Sequence, residues 1–357
     1  MAMNNTEPAG PRRLISEFLE ARSGVFRELS ELRDEGWKNA QADQHFEKQR
    51  QVADNGSWKM QKIFYGLMQR IGDEIQAATH ALSLSEPDAR VLDICMAPGG
   101  YSVSALKYSP HARVSGLTLP VAQGGHQLLI PYGRKDARVS VRFADITMLA
   151  TEIGLTAIDI PEDHPDKANF SFERMWAGEL YDLVFCDGQV LRTHAMHIAT
   201  YRERCEAGRL MCSQLLFAMQ RIKPGGTLIV LLHRVEMWKT IELLNTFDQI
   251  AQIELFKPAA VHRTRGSFYL VAKNVRPCET VALAAVAEWK QAWKNATFSG
   301  FAETDEGNEE IPRLLESFGE RLIELGDPIW KIQKNALKKA PWFKSRATRA
   351  RDEESGS

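Results

Sequence analysis

The sequence predicts an α/β domain on a mostly parallel sheet, with helical segments before and after it. Three observations point there. Short apolar runs occupy residues 90–95, 113–119, 139–144, 181–186 and 226–232. Helical spacing fills several of the gaps, as at residues 205–222 and 235–248. Alternation of strands with helices builds parallel sheets, because each crossover needs a helix to return the chain. A closing pair, 251–256 and 267–272, is joined by a loop with Pro and Gly and predicts an antiparallel edge.

Residues 1–10 are polar with Pro8 and Gly10, and are expected to be disordered. Leu14, Phe18 and Leu19, then Val25, Leu29 and Leu32, recur at helical spacing and predict helix from Arg12 to about Ala53. Residues 54–57, Asp-Asn-Gly-Ser, break it. A second helix runs from Trp58 to about Ala81, with Ile63, Leu67, Ile71 and Ile75 on one face. Residues 154–178 form a long polar insert with Pro161, His164 and Pro165; loops of that length are functional or mobile. After Val275 the chain turns helical over 278–294. An acidic stretch, 303–310, leads to a helix of about 25 residues and a basic tail from Lys331 to Arg351. Three parts are expected: an N-terminal helical extension (1–57), the sheet domain (58–275), and a C-terminal helical extension with the tail (276–357).

The chain of 357 residues is 44% hydrophobic and 25% charged, as soluble globular proteins are. No apolar run reaches the roughly 18–20 residues of a membrane helix, and the start has no apolar core of a secretion signal. Five scattered cysteines without a CxxC pair fit reduced thiols in a cytoplasmic or nuclear protein better than disulfides or a zinc site. A formal net charge of −1 gives no argument for nucleic acid as partner, so that argument rests on local patches.

The first strand ends in Asp93-Ile-Cys-Met-Ala-Pro-Gly-Gly-Tyr101. A glycine turn between strand and helix lets backbone approach a ligand closely. Residues 92–102 resemble the first motif of the FtsJ/RrmJ-like ribose 2′-O-methyltransferases, in which Ala-Pro-Gly-Gly and an aromatic hold S-adenosylmethionine. The resemblance implies a Rossmann-like sheet of the S-adenosylmethionine-dependent kind, with Asp93, Ala97, Pro98, Gly99, Gly100 and Tyr101 at the cofactor.

Later strands follow in the order this resemblance implies. Many methyltransferases end the second strand in an acid for the cofactor ribose; this chain has Leu117 or Thr118, and leucine accepts no hydrogen bond. Asp145 stands where the family accepts from the adenine amino group, and it equally suits an N-cap before Ile146. Asp187, in Tyr181-Asp-Leu-Val-Phe-Cys-Asp187-Gly188, matches the fourth motif, where a carboxylate faces the sulfonium and orients the nucleophile. It is the foremost catalytic candidate and also touches the cofactor.

The family's RNA enzymes use a Lys-Asp-Lys-Glu set, and here most of it is replaced. Leu231 takes the place of the second Lys and Ser267 that of the Glu. The first Lys falls on Lys59, Lys62 or, in another register, Gly66. His233 shares a strand face with Leu231 and is able to act as a base. Arg234 stays protonated but is able to stabilise an anion. Both join the candidate catalytic set, a polar strand end being the plain alternative.

Residues 58–275 closely resemble a group of fungal proteins with an FtsJ-like domain, which carry a Lys where Arg234 stands. His262, Arg263 and Arg265 form a basic loop suited to phosphates or to solvent. Lys338, Lys339, Arg346, Arg349 and Arg351 suit nucleic acid, a nuclear address or a solvated tail. Trp289, Trp293 and Trp330 read as packing residues, and Cys186 as a buried strand residue. The expected activity is RNA ribose methylation, of the kind used in ribosomal RNA processing, with RNA as partner. A small-molecule acceptor on the same fold, or a scaffold that binds cofactor or RNA without turnover, stays open beside it.

Overall fold

The computed structural model describes residues 10–39, 44, 47, 58–190, 198–259, 261–299 and 310–342. The expectations for residues 1–9, most of the helix expected over 40–53, the break at 54–57, the acidic stretch up to 309 and the tail from 343 lie outside the described residues.

A seven-stranded sheet organises the chain in the order β3-β2-β1-β4-β5-β7-β6. The strands are β1 (Arg90–Ile94), β2 (Arg113–Thr118), β3 (Val139–Phe143), β4 (Tyr181–Cys186), β5 (Ile222–His233), β6 (Gln252–Phe256) and β7 (Ser267–Lys273). The first five are parallel. β7 pairs antiparallel with both β5 and β6. The expected closing pair therefore forms, but the last strand inserts beside β5 and leaves β6 at the edge.

Strand order reverses between β1 and β4, which pair with Ile94 opposite Cys186. At such a switch point the outgoing chains diverge above the strand ends and leave a crevice for ligands. Cys95 and Asp187 are the first residues beyond that pair.

Side chains alternate across the sheet and fill two cores. On one face Val91, Leu183, Ile229 and Val271 pack with Ile71 and Ile75 of α3 (Trp58–Thr79) and with Tyr101 and Ala105 of α4 (Gly100–Tyr108). On the other, Leu92, Val184, Val230 and Leu270 pack with α5 (Glu206–Met219) and α6 (Trp238–Ile250). Strands buried on both faces read as apolar runs, as residues 183–186 of β4 do. α7 (Thr280–Lys294) lies against α5 and buries Trp293.

The terminal helices share the second core. Helix was expected unbroken from Arg12, but α1 (Pro11–Arg22) and α2 (Gly24–Trp37) part at Ser23. Its Oγ accepts from Phe26 N at 3.0 Å, capping α2, and donates to Asp327 Oδ1 at 2.6 Å. Asp327 lies on α8 (Glu310–Lys338), which crosses both. α8 reaches Lys338, so residues 331–338 of the expected tail are helix. Ile15, Leu19, Phe26, Leu29, Leu322 and Trp330 form one buried cluster with Phe247 of α6. Among the described residues no helix is long and apolar enough to cross a membrane.

Candidate active site

A cavity of about 1810 Å³ opens over the C-terminal strand ends, from Asp145 after β3 to His233 at the end of β5. Ligand pockets run to roughly 300–1,000 Å³, so there is room for more than one small molecule. Met60, Ile63, Phe64 and Leu67 of α3 form an apolar wall. Lys59 and Lys62 are exposed and do not line it; Lys62 Nζ instead sits 4.7 Å from the Trp58 ring centre.

The glycine turn begins the site. Ala97, Pro98 and Tyr101 line the cavity, whereas Asp93, Gly99 and Gly100 do not. The two glycines serve close packing. Gly99 has φ of 100°, and a Cβ there would lie 2.5 Å from Ile130 Cγ2. A Cβ on Gly100 would lie 2.5 Å from Met68 Cβ and 2.7 Å from the Tyr65 carbonyl oxygen, so α3 crosses directly over the start of α4. Beneath the turn, Ser102 Oγ donates to Asp93 Oδ2 at 2.5 Å, while Asp93 Oδ1 is buried without a hydrogen-bond partner. Burial pushes the Asp93 carboxyl up to about 7.

Leu117 and Thr118 both line the cavity. Leu117 offers an apolar wall, and Thr118 Oγ1 lies 3.4 Å from Ala97 N. Asp145 caps the 3-10 turn Ile146–Met148: its Oδ1 accepts from Thr147 N at 2.9 Å and Thr147 Oγ1 at 2.8 Å. Oδ2 meets Arg202 Nη1 only at 3.8 Å, beyond hydrogen-bond distance. Arg202 is held by Glu206 at 2.7 Å and Asp166 at 3.0 Å. Neither arginine nor acids of this buried group were singled out by sequence, because no short motif joins them.

Asp187 lines the centre of the cavity. Tyr269 Oη donates to its Oδ1 at 3.2 Å, and Tyr101 Oη lies 2.5 Å from Tyr269 Oη. A phenol has one proton; with Tyr269 donating to the carboxylate, Tyr101 donates to Tyr269. Burial, then the charge of Asp93, pushes Asp187 up to about 8. Gln214 fixes the next residue, accepting from Gly188 N at 2.8 Å and donating to its carbonyl at 3.1 Å. Burial and then the charges of Asp145, Asp93 and Asp187 raise the Cys95 thiol, so Cys95 stays protonated. Asp145 and Asp187 line the same cavity as Cys95, and two carboxyls there favour a cation.

His233 lines the cavity; its Nε2 pairs with Gln189 Oε1 at 2.8 Å and its Nδ1 with Ser267 Oγ at 3.0 Å. If Nε2 carries the proton, Ser267 donates to Nδ1. Desolvation, then Lys257 and Arg265, lowers the imidazole and keeps it neutral. Leu231 also lines the cavity, facing Tyr269 across the strand pair. Arg234 is placed otherwise than expected. It does not line the cavity, and its Nε pairs with Glu236 Oε1 at 2.7 Å, which also pairs with Arg33 Nη1 at 2.7 Å. The local reason is a left-handed backbone, φ 52°, that ends β5 and directs the chain toward α6.

The structure thus brings together Ala97, Pro98, Tyr101, Leu117, Thr118, Asp145, Asp187 and His233 around one cavity, with Asp93, Gly99 and Gly100 supporting its floor. Tyr269 went unrecognised as part of it. Its only sequence signal is the two-residue step from Ser267, which puts both on one strand face.

Residues 72–275 match the model of the FtsJ-like methyltransferases. No curated protein sequence matches the chain. Among solved structures, a Plasmodium falciparum protein assigned as a ribosomal RNA methyltransferase is 17% identical, covering 57% of this chain and 93% of that one, with a TM-score of 0.36. The N-methyltransferase NodS of Bradyrhizobium japonicum is 16% identical, covering 57% and 96%, with a TM-score of 0.34. Human methyltransferase-like protein 13, solved with SAH, is 14% identical, covering 68% and 93%, with a TM-score of 0.35. At these TM-scores the likenesses carry no argument about the acceptor.

Proposed function

The chain belongs to the FtsJ-like methyltransferase family and is an S-adenosylmethionine-dependent methyltransferase, and from that premise we propose that its acceptor is an RNA ribose 2′-hydroxyl. The residues present fit the cofactor. Asp145 and Asp187 line the cavity with Cys95 and give a sulfonium the negative surroundings it needs. Asp145 Oδ2 is left for an amino group, and Leu117 and Pro98 offer apolar walls for a base. Bound there, the cofactor supplies an electrophilic methyl group.

The rest is work for this chain's side chains. Thr118 and Asp145 hold the nucleoside end. Asp187, held by Tyr269, orients the acceptor hydroxyl, and fixed geometry supplies most of the rate. Once the acceptor displaces Gln189, the imidazole carries its own proton on Nδ1, donated to Ser267 Oγ, and Nε2 is free to take the hydroxyl proton. Leu231 leaves no ammonium to stabilise an alkoxide, so deprotonation runs late, with methyl transfer and not before it.

The observation that carries the RNA reading is how charge divides along the cavity. Asp145 and Asp187 stand at the β3 and β4 end; Arg263, Arg265 and Lys339 line the β5 and β7 end, beside the neutral imidazoles of His233 and His262. A cationic half beyond the methyl donor suits a phosphodiester chain. The apolar wall of Met60, Ile63 and Phe64 favours a second reading, a small apolar acceptor. Incubation with labelled S-adenosylmethionine, total RNA and a metabolite extract separates them. Label in RNA, released on digestion as 2′-O-methyl nucleosides, supports the proposal. Label only in the extract supports the second reading. Cofactor binding with no label in either leaves a scaffold.

A further inference from the structure

The acceptor half of the cavity is not made by the family-matched segment alone. Lys339, Ala340 and Trp342, just beyond the end of α8, line it together with residues 261–265 between β6 and β7. The match to the family ends at residue 275. This outer wall is fastened in place. Gln333 Nε2 donates to the Thr264 carbonyl at 3.1 Å, and Arg33 Nη2 donates to Gln333 Oε1 at 2.8 Å. Asn39 Nδ2 donates to the Trp342 carbonyl at 3.2 Å.

Charge pairing sorts the cations on this cavity. Arg202 is committed to Glu206 and Asp166. On α8, Lys334 and Lys338 both pair with Glu28, at 3.2 and 2.6 Å. Arg263 and Lys339 are exposed, line the cavity from two neighbouring segments, and have no acidic partner among the described residues. In a chain of net charge −1, two such cations facing one cleft are a place where an anion gains charge without displacing a carboxylate.

We propose that Lys339 and Arg263, on two segments joined by the hydrogen bond from Gln333 to Thr264, form a phosphate clamp that seats the RNA backbone beside the target ribose, so the end of the C-terminal helix is part of the acceptor site. This rests on the RNA reading above. Lys339 contributes a point charge and Arg263 a guanidinium fork, both suited to phosphate oxygens.

The test uses the full chain with Lys339→Glu, Arg263→Glu and a control of equal charge change, Lys331→Glu, on the exposed part of α8 away from the cavity. Binding of a fluorescent single-stranded oligoribonucleotide is read by anisotropy across a salt series, and methyl transfer to total RNA is read in parallel. Each clamp variant is expected to weaken oligoribonucleotide binding at least about tenfold. Each is also expected to flatten the log–log salt slope by about 0.7, the value for one phosphate contact on a single strand. KM for RNA rises with kcat kept, and S-adenosylmethionine affinity is unchanged. If Lys331→Glu weakens binding as much as Lys339→Glu, or neither clamp variant changes it, the clamp is overturned. Absence of oligoribonucleotide binding by the unsubstituted protein also overturns it. Failure of the RNA reading shows separately, as absence of label in RNA from the unsubstituted protein.

Discussion

Tyr269 and Asp187 lie 82 residues apart on different strands and meet in a 3.2 Å hydrogen bond inside the cleft. Asp187 is half-buried at the cavity and desolvated, which disfavours its charged form, and the buried Tyr269 is the donor that offsets this. Tyr269→Phe keeps the ring in its buried place and removes the donor. A hydrogen bond to a charged group is worth about 1.5–3 kcal/mol, and about 1.4 kcal/mol is one pH unit. The acid limb of the pH–rate profile is expected to move up by about one unit or more, with activity lost at neutral pH and recovered at higher pH. An unmoved limb would separate Tyr269 from the reaction.

The same carboxyl makes cofactor affinity depend on pH. Asp187 is raised to about 8 without cofactor. A sulfonium beside it favours the carboxylate, so binding lowers that pKa and releases a proton below it. S-adenosylmethionine affinity is therefore expected to rise between about pH 6 and pH 8 and then level off. Its demethylated product has no sulfonium charge and is expected to show a flatter dependence. Calorimetry in buffers of different ionisation enthalpy reads the proton directly. Equal slopes for both ligands would place the sulfonium away from Asp187.

Glu236 and Arg234 are expected to behave differently. The Glu236 side chain is 7% exposed and pairs with Arg33, which is 16% exposed. Glu236→Gln leaves Arg33 desolvated without a counter-charge, which costs about 3–5 kcal/mol when a buried pair is broken. The Arg234 side chain is 42% exposed, so Arg234→Ala is expected to cost less than about 1 kcal/mol. Because it does not line the cavity, methyl transfer is expected to survive. Denaturant unfolding gives the first comparison and an initial-rate assay the second. Loss of transfer in Arg234→Ala with stability kept would return Arg234 to the catalytic set.

Gly100→Ala probes why the glycine turn is glycine. The added methyl meets Met68 and the Tyr65 carbonyl, backbone that has no free direction to move. Overpacking of this kind costs about 1–3 kcal/mol. A lowered denaturant midpoint is expected, with weaker cofactor binding as the turn shifts. An unchanged midpoint would mean that α3 does not press on the turn.

The parts of the fold that were legible in sequence are local. Strand-turn-helix at Asp93–Tyr101 and strand-then-acid at Tyr181–Asp187 are each written in fewer than about a dozen neighbouring residues, so periodicity and turn chemistry suffice. Distant pairings were not legible. Nothing near Tyr269 says that its phenol reaches Asp187, and nothing near Glu236 names Arg33. The break at Ser23 was missed because apolar spacing continues across it, although serine is a good N-cap. The basic residues from Lys331 read as tail because charge masked the helical stripe of Trp330, Gln333 and Leu337, which the core buries. Gly100 was expected at the cofactor; it does not line the cavity, and the pressure on it comes from a helix.

The central claim is that Asp187 directs methyl transfer in this cleft, and Asp187→Ala tests it most directly. The variant is incubated with labelled S-adenosylmethionine and total RNA, with cofactor binding followed by calorimetry. Label in RNA is expected to fall by at least about a hundredfold, in the range of losing one key electrostatic group, while cofactor binding survives at least in part. Undiminished labelling of RNA by the variant would contradict the account.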